Sequence, residues 1–458
     1  MKITFCTGVG SVTGANFLFE VGDSRVLVDC GLIQGDREAM KENRKPFGYD
    51  PRGIDMLFVT HAHLDHVGRI PKLVKEGFKG VIYSTPETKA LAELILEDAV
   101  GLMTHEAQKE GLTPLYGIED VKNAFGLWQT IPYHTETVFK DFSVYLKDAG
   151  HILGSSMIEF RYENKKIVFT GDLGNSPTPL LRDTESIEGA DYVIMESVYG
   201  DRNHEPKDVR DAKLAQVIKE SIARDGTLII PAFSLERTQV ILYEINKLVE
   251  TNAIPSVPIF VDSPLATKVT EVYENSTHFF NEKAQEEIRK GDDLFNFPRL
   301  KYTESKESSQ GIDHVKGAKI IIAGSGMSVG GRVRHHEEIY LPDSRNTVLL
   351  VGYQTLGTVG RQLLEGSKKV TIGGGSKGGG DGRVEVIVKA KIESIMGYSS
   401  HKDSDHLVEF VATAQATAKK VFVVMGEPKA SLFLAQRIND EVGVKALYPE
   451  RGVGYEME

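Results

Sequence analysis

Up to about residue 195 the apolar positions fall in short, β-branched runs broken by Gly and Asp: KITFCTG, NFLFEV, RVLVDCG, DMLFVTHAH, GVIYST, SVYLKDAGH, MIEFRY, KIVFTGD and YVIMES. Runs of this length predict strands, and a succession of them predicts a β-rich layered region with few helices, packed outside. From about 202 the spacing changes. VRDAKLAQVIKESIARDG precedes TLIIPAF, RTQVILYEINKLVE precedes VPIFVD, and IIIAGSG and TVLLVGY follow. Helical spacing alternating with solidly apolar runs predicts an inserted domain with a parallel sheet. After about 394 come MGYSSHKD, a helix in DHLVEFVATAQAT, a strand in KVFVVMGE and a helix in ASLFLAQRINDE. These are too short for a domain and are expected to pack back on the first region. The expected organisation is therefore 1–201, an insertion over 202–393, and a return over 394–458. The stretch GGGSKGGGDG at 373–382 reads as a mobile hairpin tip, because a phosphate-cradling loop needs a helix behind it and VEVIVKA is a strand.

Length agrees with more than one domain, since 458 residues is about three times the common domain size. Hydrophobic residues at 41% and charged residues at 26% exclude disorder and fibrous architectures. The amino terminus runs directly into a strand pattern, so secretion is not supported, and no apolar run is long enough to cross a bilayer. Cys6 and Cys30 are too few for a disulfide framework and read as buried thiols, which fits a cytoplasmic protein. A formal charge of -11 argues against unspecific coating of nucleic acid, though bound divalent cations would supply positive charge at one place.

The chemistry gathers at strand ends. DMLFVTHAHLDHVGRI carries His61, His63, Asp65 and His66 directly after a buried strand. Alternate positions on an extended segment aim two histidines the same way, and a turn after Leu64 offers Asp65 and His66 as a second pair. Imidazole nitrogen and carboxylate oxygen together suit zinc. His151, in DAGHILGSS, and Asp172, in IVFTGDLGN, would alone be turn residues. Behind an HxHxDH run they read as the further imidazole and the bridging carboxylate that two metals need. Asp29, in VLVDCG, reads as a carboxylate orienting a ligand from behind.

HAHLDH, GHILGS, TGDLG and the early DCG, in this order, resemble the metallo-β-lactamase superfamily. ESVYGDR at 196–202, IPAFSLERTQ, VDSPLA, GSGMSVGGRVRHH, GYQTLGTVGR and SSHKD resemble its β-CASP nucleases, above all the prokaryotic RNA-processing ribonucleases and the eukaryotic pre-mRNA cleavage endonuclease. The resemblance implies an α/β fold, an αββα sandwich with an inserted β-CASP domain containing the parallel sheet. It implies a zinc-dependent ribonuclease, cutting internally or from an end, in RNA processing or decay. One Zn2+ would be held by His61, His63, His151 and Asp172, the other by Asp65, His66 and Asp172, with Mn2+ an admissible substitute. A metal-activated water would be the nucleophile, and Asp65, His401 and Glu196 the catalytic side chains. The implied partner is single-stranded RNA, with no membrane, and pairing of two copies stays open. Backbone N–H groups of Ser325, Gly326 and Met327 offer a phosphate cradle. His335 and His336 read as cleft-lining or packing residues of the insertion. One position departs from the pattern: RNA-cutting members carry histidine before Gly-Glu where this chain has Met425, a poor zinc ligand, so the second metal would be weaker. That departure keeps two alternatives in view, a DNA nuclease of the same fold and a weakened or inactive RNA-binding member.

Overall fold

The computed structural model describes residues 1–35, 37–355, 357–373 and 383–458. Their contacts divide into two compact units, Met1–Asn203 with His401–Glu458, and His204–Ser400. Residues 394–400 thus go with the second unit rather than returning to the first as expected. Strand Lys391–Ser394 pairs with Thr347–Leu350, and the guanidinium of Arg210 lies over the Tyr398 ring, which anchors the segment there.

The first unit holds two seven-stranded sheets. One runs in the order Gly454–Glu456, Lys2–Thr7, Asn16–Val21, Ser24–Val28, Met56–Phe58, Val81–Ser84 and Trp128–Thr130. The other runs Ala446–Leu447, Lys420–Val423, Tyr192–Met195, Lys165–Phe169, Ser156–Tyr162, Ser143–Asp148 and Thr137–Val138. The nine strands read from sequence all form, because each apolar run has a partner with which to exchange backbone hydrogen bonds. The two sheets meet through a shared core that includes Phe5, Phe19, Phe58, Phe160, Phe169 and Phe422. Ring centroids lie 5.1 Å apart for Phe19 and Phe160 and 5.2 Å apart for Phe58 and Phe160, within the range of favourable aromatic pairs. The far face of the second sheet buries Val168, Val193 and Val421 against Leu407, Phe410 and Val411 of helix Ser404–Ala412 and Leu434 of helix Pro428–Arg437.

Helices are more prominent here than the strand-rich pattern suggests. Pro86–Lys109 forms one helix of 24 residues, packed on strand Trp128–Thr130 and helix Ile118–Gly126. Its buried positions Leu91, Ala92, Leu96 and Ala99 do follow a helical stripe, but the part-exposed Leu94, Ile95 and Val100 and the exposed Leu102 blur it. Cys30 is buried, whereas Cys6 is only half-buried, a correction to the reading of both as interior thiols. Burial pushes their thiols up to about 12 and about 11, so neither is reactive near neutral pH. No helix among the described residues is long and apolar enough to cross a membrane.

The second unit is built on a six-stranded sheet in the order Leu300–Tyr302, Ile259–Asp262, Lys319–Ala323, Thr227–Pro231, Thr347–Leu350 and Lys391–Ser394, every neighbouring pair parallel. Strands Lys369–Gly373 and Arg383–Ile387 form a separate antiparallel pair. The glycine-rich stretch expected as the hairpin tip lies, from 374 to 382, outside the described residues. His335 and His336 are packing residues of this unit. His336 is fully buried with Nε2 2.7 Å from Asp262 Oδ2, and His335 Nε2 is 2.9 Å from Asp313 Oδ2. Asp262 also accepts from Thr303, Ser309 and Arg332, and these partners outweigh burial to hold its carboxyl well below the usual range.

Next to His336, Glu337 is wholly buried. It accepts a hydrogen bond from Ser328, and burial pushes its carboxyl up from 4.5 to about 8. Between those two values the unfolded chain loses the proton while the folded chain keeps it, so the folded state binds more protons and stability falls as pH rises. Glu337→Gln, which retains the Ser328 bond without an ionisable group, is expected to remove that decline. Urea midpoints of both forms at about pH 5 and about pH 8 measure it. A mutant that loses as much stability as the wild type across this window contradicts the assignment.

Candidate metal centre

Parallel registry creates the site. Strands Lys165–Phe169, Tyr192–Met195 and Lys420–Val423 run the same way, paired Ile167 to Tyr192 and Val193 to Val421. Their carboxyl ends therefore open on one edge, and the segments that follow carry Asp172, Glu196 and Met425. In the other sheet, strand Met56–Phe58 leads into His61 and His63, and the short helix Leu64–Val67 carries Asp65 and His66. This turn is clamped by backbone bonds: Cys30 N–H donates to His66 O, and Ala15 N–H donates to Asp65 O. A Cβ at Gly31 would fall 1.4 Å from Asp65 O, so only glycine lets the DCG segment lie against the turn.

The residues named from sequence come together. One group is His61, His63, His151 and Asp172, another Asp65, His66 and Asp172, and a third Asp172, Glu196 and His401; in each, the ligand atoms lie within 4.8 Å of one another. His63 Nδ1 is 3.1 Å from both His61 Nε2 and His151 Nε2, while Asp172 Oδ2 is 3.5 Å from His61 Nε2 and 3.6 Å from His151 Nε2. Ligands about 2.0–2.1 Å from a tetrahedral zinc are separated by roughly 3.3 Å, so this quartet has the spacing of a metal shell. Burial, reinforced by neighbouring imidazoles, holds His63 and His151 well below their ordinary range, leaving neutral rings with a lone pair to offer.

In the second group Asp29 acts from behind. His66 Nδ1 donates to Asp29 Oδ2 at 2.7 Å, and Thr60 donates from N to Oδ1 and from Oγ1 to Oδ2, both at 2.8 Å. This directs His66 Nε2 toward Asp172 Oδ1 at 3.4 Å and Asp65 Oδ2 at 3.9 Å. Burial opposes charge on both His66 and Asp172, but their mutual attraction, with Asp29 and His61 adding to it, lifts the imidazole well above and pulls the carboxyl well below the usual values. Burial pushes Asp65 up to about 6, against the pull of His66. His66 Nε2 and Asp172 Oδ1 are buried with no hydrogen-bond partner among the described residues. Orphaned buried polar atoms are rare in folded proteins, and a cation between them would satisfy both. The donor set fits a divalent metal.

The third group adds an imidazole–carboxylate pair. His401 Nδ1 is 3.0 and 3.2 Å from the two oxygens of Glu196 and 4.0 Å from Asp172 Oδ2. Glu196 is held by N–H groups of Leu173 at 2.7 Å and Val198 at 3.2 Å. Burial works against a charged His401, but Glu196 and then Asp172 outweigh it and lift the imidazole to about 9. Two contributors escaped sequence reading. Thr60 joins Asp29 to His61, its Oγ1 lying 3.1 Å from His61 Nδ1. Lys402, buried beside His401, donates to Gly174 O at 2.8 Å and to Ser176 Oγ at 3.0 Å, pinning the SSHKD segment to the Asp172 loop. A threonine inside a strand-end run and a lysine in a polar loop carry no local signal of such roles.

Met425 and the loop Ser325–Met327 have partners of their own. Met425 is buried in the aromatic core with Phe5 and Phe17, and a Cβ at Gly8 would fall 2.9 Å from its sulfur. The N–H of Ser325 already donates to Gly330 O at 3.1 Å, so this member of the expected cradle is committed within its own loop.

Residues 11–231 match the family profile of the metallo-beta-lactamase superfamily, 238–363 that of the Beta-Casp domain, and 385–449 that of the Zn-dependent metallo-hydrolase RNA specificity domain. The chain is 34% identical to Ribonuclease TTHA0252 of Thermus thermophilus over 95% of each. It is 32% identical to the Transcription termination factor FttA of Methanosarcina mazei, covering 97% of this chain and 70% of that one. It is 31% identical to the RNase J-like protein of Methanocaldococcus jannaschii over 94% of each. A crystal structure of a protein of unknown function from Enterococcus faecalis shares the fold, with a TM-score of 0.57 at 14% identity over 99% of both chains.

Proposed function

The chain belongs to the β-CASP family of the metallo-β-lactamase superfamily, and from that premise we infer that it is a metal-dependent ribonuclease hydrolysing phosphodiester bonds of single-stranded RNA. The observation that carries this reading is the junction at Asp172, which belongs at once to both metal-type groups and to the His401–Glu196 pair. The fold implies a divalent ion, and we assign Zn2+ in two sites, the first held by His61, His63, His151 and Asp172 and the second by Asp65, His66 and Asp172. Bound there, zinc supplies polarisation of a phosphoryl oxygen and a water acidified to near neutrality. Asp65, half-buried in the second group beside His66 and Asp172, is suited to accept a proton from the attacking water. Glu196 engages His401 Nδ1, so the proton His401 can give is the one on Nε2. Its raised affinity for protons keeps that acid loaded at neutral pH, ready for the departing sugar oxygen.

The direct test is cleavage of matched single-stranded RNA and DNA, with a chelator and after zinc is restored. RNA cut in a chelator-sensitive way is the expected result. Cleavage of DNA with RNA left intact would transfer the assignment to the DNA-acting alternative.

Met425 motivates a separate prediction about occupancy. Ser197 N–H donates to Met425 O at 3.3 Å, so the residue is a neighbour of Glu196 at the same sheet edge, yet its side chain serves the apolar core. The second site is then left with three protein ligands, and we expect purified protein to retain one ion through dialysis and to lose the other. Met425→His should raise the affinity of the looser ion, provided the new ring takes a rotamer facing the sheet edge beside Glu196 instead of the core where the thioether packs. Zinc titration of both forms by calorimetry gives the answer, and identical second-ion affinities would discard the weakened-site account.

A further inference from the structure

The carboxyl edge of the parallel sheet in the second unit has a switch point set by topology. Strands Thr227–Pro231 and Lys319–Ala323 are neighbours, with Pro231 paired to Ala323. The chain leaving Pro231 passes through helix Arg237–Glu250 to Ile259–Asp262, on the far side of Lys319–Ala323. The chain leaving Ala323 passes through helix Val333–Tyr340 to Thr347–Leu350, on the far side of Thr227–Pro231. Connections departing in opposite directions, each right-handed, put their helices on opposite faces of the sheet. A switch point of this kind is where α/β sheets take ligands.

Phe233 stands at this switch point and is 41% exposed. Its backbone is fixed: Thr238 donates to Phe233 O from N at 3.2 Å and from Oγ1 at 2.8 Å, and Ala232 N–H donates to Ala323 O at 3.0 Å. The ring lies against Gly326, where a Cβ would come within 2.8 Å of Phe233 Cδ2, so only glycine there allows the contact. Polar groups around it are largely engaged. Gly326 O accepts from Gln354 Nε2 at 3.1 Å, Met327 O from Gly360 N–H at 3.2 Å, and Ser325 Oγ from the N–H groups of Val329 and Gly330. The carbonyls of Phe233, Gly326 and Met327 are thus engaged, and the aromatic side chain left partly exposed among them suits stacking of a planar group. Val329, in the loop that carries Gly326, is 44% exposed.

We propose that Phe233 is the platform on which one base of the single-stranded RNA substrate stacks. The inference rests on the ribonuclease reading above and adds to it a contact that is tolerant of sequence, since every base presents a π-face. Loss of one base–aromatic stack corresponds to a binding change of about 5- to 150-fold.

The experiment measures RNA affinity and cleavage for wild type, Phe233→Ala, Phe233→Leu and Phe233→Trp, together with hydrolysis of bis(4-nitrophenyl) phosphate, which has no nucleobase. Weakened affinity and raised KM are expected in the Ala and Leu forms, with near-normal behaviour in the Trp form and unchanged hydrolysis of the small diester in all. An oligonucleotide series with single abasic positions should contain one whose missing base weakens binding to wild type but not to Phe233→Ala. Equal RNA affinity in wild type and Phe233→Leu overturns the stacking role while leaving the ribonuclease reading intact. A wild type that neither binds nor cuts RNA overturns both. Capture of a protein by wild type, with RNA affinity unmoved by the Phe233 variants, reassigns the ring to a partner and also overturns the proposal.

Discussion

Replacing His61 or His63 by Ala is expected to abolish RNA hydrolysis and to release the metal held by that group while the protein stays folded. Both imidazoles are members of the tightest donor group, with His63 Nδ1 at 3.1 Å from each of two neighbouring imidazole nitrogens. Truncating either opens a gap in a four-ligand set that no other side chain in that group can fill. Replacing a residue that merely orients a ligand costs about 10–100-fold in affinity or activity, and removing the ligand itself exceeds that. The fold survives because its stability lies elsewhere. The aromatic core between the sheets, with Phe160 packed on both Phe19 and Phe58, contains none of the site histidines. Metal content, a thermal melt followed by circular dichroism, and RNA cleavage on the same preparation check all three parts. Activity near wild type in either variant would falsify the metal assignment.

His401→Ala is expected to lower turnover by about 10²- to 10⁴-fold with RNA binding nearly unchanged, the range for loss of a positioned general acid. The side chain is engaged on one nitrogen by Glu196 and lies 4.0 Å from Asp172, so it adjoins the metal-type groups. An acid is needed only while the leaving oxygen acquires charge, and the deficit therefore belongs to kcat. A diester that expels 4-nitrophenolate needs little protonation, so the penalty of the mutation should shrink on that substrate. If the penalty were the same for both leaving groups, His401 would be positioning substrate rather than giving a proton. If the rate did not change at all, it would have no part in the chemistry.

Much of this molecule is legible in the chain because the relevant signals are local. The nine strands of the first region announce themselves as β-branched runs, and the parallel sheet of the second as solid apolar runs between helical stretches. His61, His63, Asp65 and His66 can be read as one metal-binding turn because they are adjacent in sequence and follow a buried strand. Helix Pro86–Lys109 is harder to see, since part-exposed apolar residues widen its stripe until the helical period is lost.

What only the tertiary structure decides is which distant residues share a place. Asp172 and Glu196 come together because parallel strands bring their carboxyl ends to one edge, His151 arrives from a strand paired antiparallel, and His401 is bridged to Gly174; such pairing is a long-range property with no trace in a local window. The same holds for Thr60 and Lys402, whose roles come from partners rather than residue type. At Ser325 the chain order suggests a free amide, yet folding spends it on Gly330. At Phe233 the apolar run TLIIPAF suggests burial, yet the side chain is left partly exposed: the connections after two neighbouring strands leave in opposite directions at the sheet edge where it stands.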